Sequence, residues 1–321
     1  MSYGQKSHVA ICFQNSWDVV NTSSLHHIQH LEESVGLNIP PLIDESAKGI
    51  FDEGDSYGGA RTVDGTLQIN AKAIPLGAML TGLMGAPTTV TSGAIYTHTF
   101  KPATSDFDQY SAGKPITYLK HLDDTGSASL FYNLNISQVE MGCANGEFMT
   151  ATATFVGGSF QQIADITASY PTGKRFTWDS SSLELGGAAN ADFRDLNITI
   201  NENIEAMHTL NNSAYPSRNK RTGQRTIEVS GTVVFDNQTE YQKFIAQTEQ
   251  SFKVTFKGST EIQSGYYDTI TMDMPALRYS DFKPVAGSAG KIEVGFTASA
   301  KYLATSATAI QIDLINTQAG Y

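Results

Sequence analysis

The chain has 321 residues, 40 % of them hydrophobic and 10 % aromatic, and a formal net charge of −11. That is enough apolar material for a core in one large or two ordinary domains, and it excludes a disordered or collagen-like chain. The acidic balance argues against a nucleic-acid-binding surface, which needs clustered Lys and Arg, and no apolar run reaches the 18 residues of a membrane helix.

In chain order, the opening "MSYGQKSHVAICF" lacks the basic-then-apolar pattern of a secretory signal, and "VAICFQ" reads as a strand. Trp17 and Asp18 follow in "FQNSWDVV". The run "LHHIQHLEE" (His26, His27, His30, Glu33) reads as a strand that splits its histidines between two faces, so exposed polar residues are expected there rather than a zinc site. A long polar loop, residues 36–61, carries Asp44, Glu45, Asp52, Glu53 and Asp55 and ends at Arg61. Its carboxylates do not match the spacing of a twelve-residue Ca²⁺ loop. Gly65 and Thr66 come next, then "AIPLGAMLTGLMG", whose apolar spacing behind a proline predicts a short helix. "YTHTF" reads as a strand, and "LFYNLNISQVEMG" with "EFMTATATFVGG" as an extended pair with clear period-2 alternation. Cys12 and Cys143 lie far apart, each in or beside a strand-like stretch, and are expected to be buried free thiols.

Turn residues cluster at 166–176 in "ITASYPTGKRF", and beyond them the text repeats itself. Trp178-Asp179 stands 161 residues after Trp17-Asp18, and Gly231-Thr232 stands 166 after Gly65-Thr66. "GARTVDGTL" is echoed by "GQRTIEVSGTV". Two landmarks in the same order predict a duplication, with domains 1–165 and 166–321. The second helix is expected in "DNQTEYQKFIAQ", capped by Asn237 or Thr239, with Tyr241, Phe244 and Ile245 as its apolar face. "FKVTF", "YDTITMDMPALRYSDF" and "KIEVGFTASAKYL" supply the remaining strands. The fold class is therefore mainly antiparallel β, in two similar domains that each carry one short helix.

The copies differ in charge. Residues 1–165 hold 7 basic and 16 acidic groups, net −9, whereas residues 166–321 hold 14 and 16, net −2. Opposite the acidic loop, residues 211–225 carry Arg218, Lys220, Arg221 and Arg225 and no acid. Loops of opposite sign predict self-association. No nucleophile elbow, phosphate-binding loop or clustered Cys-His constellation is present, so an enzyme is not expected, and no cofactor or metal is expected.

The stretch from Val35 to Gly85 followed by "YTHTFKP", and the stretch from Trp178 to Phe244, resemble the two halves of the duplicated tail tube proteins of long non-contractile-tailed (siphovirus-type) phages. The most specific parts are the first-half loop leading into Arg61 and Gly65-Thr66, and the run from Leu210 to Arg218. The resemblance implies two tandem tube-type β-sandwich domains, each with a flanking helix. It implies that three chains form a pseudo-hexameric ring whose strands close a continuous inner barrel, and that rings stack into a tube conducting DNA without binding it. Its implied partners are further copies of the chain, a tape-measure protein and tail completion or tip proteins, with assembly in the host cytoplasm and a final place in the virion. Acids at outward strand positions, such as Asp273 and Glu293, are candidates for the channel wall. The competing expectation is a tail-tip or surface β-sandwich that binds a receptor or carbohydrate, with Tyr266, Tyr267 and Tyr279 as its aromatics.

Overall fold

The computed structural model describes residues 4–321 apart from 47–48, 50, 53, 123–125 and 285–290. The first half forms β1 (His8–Phe13), β2 (His26–Ile28), β3 (Glu32–Glu33), β4 (Gly36–Asn38), the hairpin β5 (Pro41–Ile43) and β6 (Ser56–Gly58), and β7 (Thr62–Asn70). Helix α1 (Ala73–Met84), the hairpin β8 (Thr88–Ser92) and β9 (Ile95–Phe100), β10 (Ile116–His121), β11 (Ser127–Ala144) and β12 (Thr150–Ala164) complete it. The second half forms β13 (Ser181–Leu185), β14 (Ala188–Ala189), β15 (Phe193–Asn201), the hairpin β16 (Ile204–Met207) and β17 (Arg218–Arg221), and β18 (Thr226–Val234). Helix α2 (Thr239–Ile245), β19 (Gln250–Gln263), β20 (Tyr266–Phe282), β21 (Glu293–Ala300) and β22 (Gln311–Asn316) follow. The protein is mainly β, as its composition and alternation require.

Two long strands organise the sheets. The start of β11 lies between β10 and β12, and its end, Gln138–Ala144, pairs with β15 of the second half. Likewise β20 begins between β19 and β22 and ends against β21. A hydrogen-bonded sheet thus runs β7–β12–β11–β15–β18–β21–β20 without interruption across the two halves. The β8–β9 hairpin of the first half joins the far sheet by pairing with β22.

The Gly-Thr pairs occupy matching places. Gly65 on β7 faces Phe155 on β12, and Gly231 on β18 faces Phe296 on β21. On the opposite side a Cβ at Gly65 would come within 2.6 Å of the Ser34 and Val35 backbone, and one at Gly231 would run into the Asp195 carbonyl. Only glycine lets the neighbouring strand approach this closely, and Gly65 also holds φ at +142°. Burying each phenylalanine contributes about 2–3 kcal/mol. The Trp-Asp pairs do not match in this way. Trp17 follows β1, whereas Trp178 opens a 3-10 turn ahead of β13.

Helix α1 is apolar on all sides and buried from Ala73 to Met84 except at Ile74, as expected of a helix enclosed by sheet. It ends at Gly85, whose φ is +92°. Helix α2 begins at Thr239, whose N–H donates to Asn237 Oδ1 at 2.9 Å. Tyr241 and Phe244 pack against the core, but Ile245 is exposed, because the short helix turns only part of its face inward. No helix among the described residues is long and apolar enough to cross a membrane.

Candidate assembly surfaces

Period-2 alternation gives the continuous sheet one apolar and one polar face. On β12, Ala151, Ala153 and Phe155 are buried while Thr150, Thr152 and Thr154 point the other way. Cross-strand register carries the polar pattern over all seven strands. One row reads Gln68, Thr152, Glu140, Thr199, Glu228, Ser299 and Arg278. The next reads Asn70, Thr150, Gly142, Asn197, Ser230 and Thr297. Asn197 donates to Glu140 Oε1 at 2.6 Å. This face is lined by hydroxyls and amides, with carboxylates outnumbering cations.

Of the two acids expected on such a face, Glu293 lies on it, at the same parity as Thr297 and Ser299, and pairs with Arg194. Asp273 does not. It sits on β20 where that strand runs between β19 and β22, opposite Lys253 and Gln311. Burial there pushes its pKa up, with Lys253 opposing. Glu140 and Glu228 are the acids that sequence reasoning missed. The alternation of "IEVSGTV" and "SQVEMG" places them outward, but only register shows that they share a face.

At both of its ends the sheet pairs on one side only among the described residues. Beside β7 stand β3 and β4, with no further strand beyond them. At the other end, Arg278–Phe282 of β20 pairs with β21 alone. Unpaired edges are templates for another strand.

The two loops of opposite charge are held differently. In the first half, β5 and β6 form a hairpin closed further by the Asp44 N–H donating to the Asp55 carbonyl at 2.9 Å. Leu42 and Tyr57 on it are each 64 % exposed, and Glu45, Asp52 and Asp55 also face outward. Glu53 lies outside the described residues. Asp44 is half-buried and accepts from the Ser46 N–H at 3.0 Å.

In the second half the cations turn inward. Arg221 Nη2 and Arg225 Nε contact the Glu202 carboxylate at 2.7 and 2.5 Å, and Glu202 is fully buried. Lys220 reaches Asp106 at 3.2 Å and the Asp108 carbonyl at 3.0 Å. Arg218 is half-buried, and its Nε has no hydrogen-bond partner among the described residues. The β16–β17 hairpin is thereby docked on the first half of its own chain. Asn219 is fully buried and donates to the Asn133 carbonyl and to Asn135 Oδ1, both at 2.9 Å. Arg61 meets the same loop, its N–H donating to the Ala214 carbonyl at 2.8 Å and its guanidinium lying 5.6 Å from the Tyr215 ring centre. Three of the cations expected to meet the acidic loop of another domain, Lys220, Arg221 and Arg225, have partners within the chain. Glu202, in "NENIEAM", is the missed residue, because an acid in a strand-like run gives no sign of burial.

The histidine run also departs from expectation. His27 is only 5 % exposed and His26 is half-buried, because β2 packs beside β1 instead of lying on the surface. Tyr279 is buried too, with its hydroxyl donating to Glu240 at 2.9 Å. Both cysteines are free. Burial, reinforced by Glu147, raises the Cys143 thiol to about 11, which leaves it protonated and a poor nucleophile.

Compared with families of known proteins, residues 4–300 match the model of a phage tail tube protein. The chain belongs to the phage tail tube family. This tail tube protein is accordingly a structural component that assembles into the tube of the phage tail, and its place is in the virion. Such membership points to assembly in place of catalysis. Comparison with curated proteins gives no match.

Proposed function

We propose that this chain forms a ring of three copies, and that stacked rings make a hollow tube through which DNA passes. The observation that carries the reading is the continuous sheet with its polar face, built across the two halves by the β11–β15 ladder and open at both ends. Closing a sheet on itself removes its edges. The end of β20 would pair with β4 of the next chain in the way that β11 pairs with β15. The halves, 1–165 and 166–321, act as two copies of one unit, and the matched Gly65–Phe155 and Gly231–Phe296 pairs support that equivalence. Three chains then supply six units, joined by head-to-tail contacts that close.

The polar face becomes the channel wall. Hydroxyls and amides dominate it, Arg278 stands at its edge and Arg194 is paired with Glu293, so phosphates meet few cationic anchors while Glu140 and Glu228 repel them. On this reading the β5–β6 hairpin reaches a neighbouring copy, within the ring or in the next one. A tape-measure protein inside the growing tube and tail completion or tip proteins at its ends complete the assembly, in the host cytoplasm.

Negative-stain imaging over a concentration and salt series tests the reading. Rings or tubes of uniform diameter with three-fold symmetry are expected. A strictly monomeric particle at every concentration overturns it.

A further inference from the structure

Three histidines distant in sequence meet on one face of the sheet β2–β1–β10. His8 pairs with His121, and Ala10 with His27, so all three side chains project the same way. The His8 and His121 rings lie 4.7 Å apart, and His27 is 5.8 Å from His8. The segment leaving β12 crosses this face. Asp165 Oδ1 stands 3.2 Å from His8 Nε2 and 3.1 Å from His121 Nδ1, and the Ile166 carbonyl is 3.0 Å from His8 Nε2. His8 is 7 % and His27 5 % exposed, while Asp165 opens to solvent and leaves an entry path. Although close to the carboxylate, His121 Nδ1 makes no aligned hydrogen bond among the described residues, and His27 Nδ1 is likewise buried without a partner among them.

We propose that His8, His121 and Asp165 form a binding site for a divalent transition metal of the zinc class. One nitrogen from each imidazole and one carboxylate oxygen lie within 4.8 Å of one another. A tetrahedral ion with bonds of about 2.1 Å needs donors about 3.4 Å apart, close to the two nitrogen–oxygen separations observed. Imidazoles joined by a carboxylate select zinc, nickel or copper over magnesium or calcium. A metal would displace the proton by which His8 Nε2 donates to the Ile166 carbonyl and would give His121 Nδ1 an aligned partner beside Asp165, with water in the fourth position beside His27. The consequence is mechanical. One ion would tie β1 and β10 to the chain just where it leaves the first half, at the start of the connection to the second.

The test is titration of the chelator-treated full chain with Co²⁺ and then Zn²⁺, following cobalt's visible absorption and the melting temperature. One equivalent of four-coordinate cobalt, displaced by zinc and raising the melting temperature, is expected. His121→Ala and Asp165→Asn should each weaken binding more than about tenfold, whereas His208→Ala, at an exposed position, should leave it unchanged. X-ray absorption of the zinc-loaded wild type should show two imidazoles and oxygen donors, a readout that does not depend on the variants folding. No saturable binding by the wild type, wild-type affinity in both ligand variants, or a spectrum without two imidazoles would overturn the proposal.

Discussion

The hairpins β5–β6 and β16–β17 sit at matching points in the two halves, each leading into the strand that carries the Gly-Thr pair. They meet opposite circumstances. The second lies on the first half of its own chain, with Asn219 buried and Lys220, Arg221 and Arg225 all engaged. The first projects with Leu42 and Tyr57 largely exposed. The difference lies in what each hairpin packs on. The second has the first half of its own chain beneath it, whereas the apolar side chains of the first stay uncovered among the described residues. On the proposed reading, the docked hairpin is therefore a template, within one chain, for the contact that the projecting hairpin makes between chains.

The comparison breaks most severely at Glu202. Replacing both Arg221 and Arg225 with Ala leaves a fully buried carboxylate without compensation and should lower stability by about 3–5 kcal/mol, measured by urea unfolding. Gly157→Ala should cost about 2–3 kcal/mol in the same assay. Its φ is +96°, and a methyl there would collide with the Asn219 amide that anchors the docked hairpin. Gly65→Ala and Gly231→Ala should each cost about 1–3 kcal/mol. A loss confined to one of them would remove the equivalence of the halves. The smallest effect on the isolated chain is expected from Leu42→Ser with Tyr57→Ser, within about 0.5 kcal/mol for unfolding. That double variant should nevertheless lose self-association in sedimentation velocity, and unchanged association would mean that the hairpin has no partner.

Much of the fold was legible in the sequence because alternation and turn residues are local signals. The stretch "TATATFVG" fixes which face of β12 is buried, and the proline and glycines around "AIPLGAMLTGLMG" bound α1 at both ends. The sites were less legible, because they depend on register and burial. Glu140 and Glu228 face the same way only because β11 pairs with β15 and β15 with β18. A run of four cations invites a surface reading until Glu202 is found beneath it. His8, His121 and Asp165 share no motif, since three separate segments bring them together. The Trp-Asp echo shows the converse, a repeat in the text whose members stand at different points relative to the strands.

The pairing of β22 with β9 has a consequence in time. Residues 311–316 close the sheet edge formed by residues 95–100, and Tyr321 then rests against Gly77 of α1, where a larger residue would clash. During synthesis at about 5–20 residues per second, the β8–β9 hairpin is made roughly ten to forty seconds before its partner emerges. The first half can assemble its own strands in that interval, but this edge stays open until residues 311–316 arrive. Such distant contacts form slowly. The order of translation thus makes the closing of this edge by β22 a late step in folding.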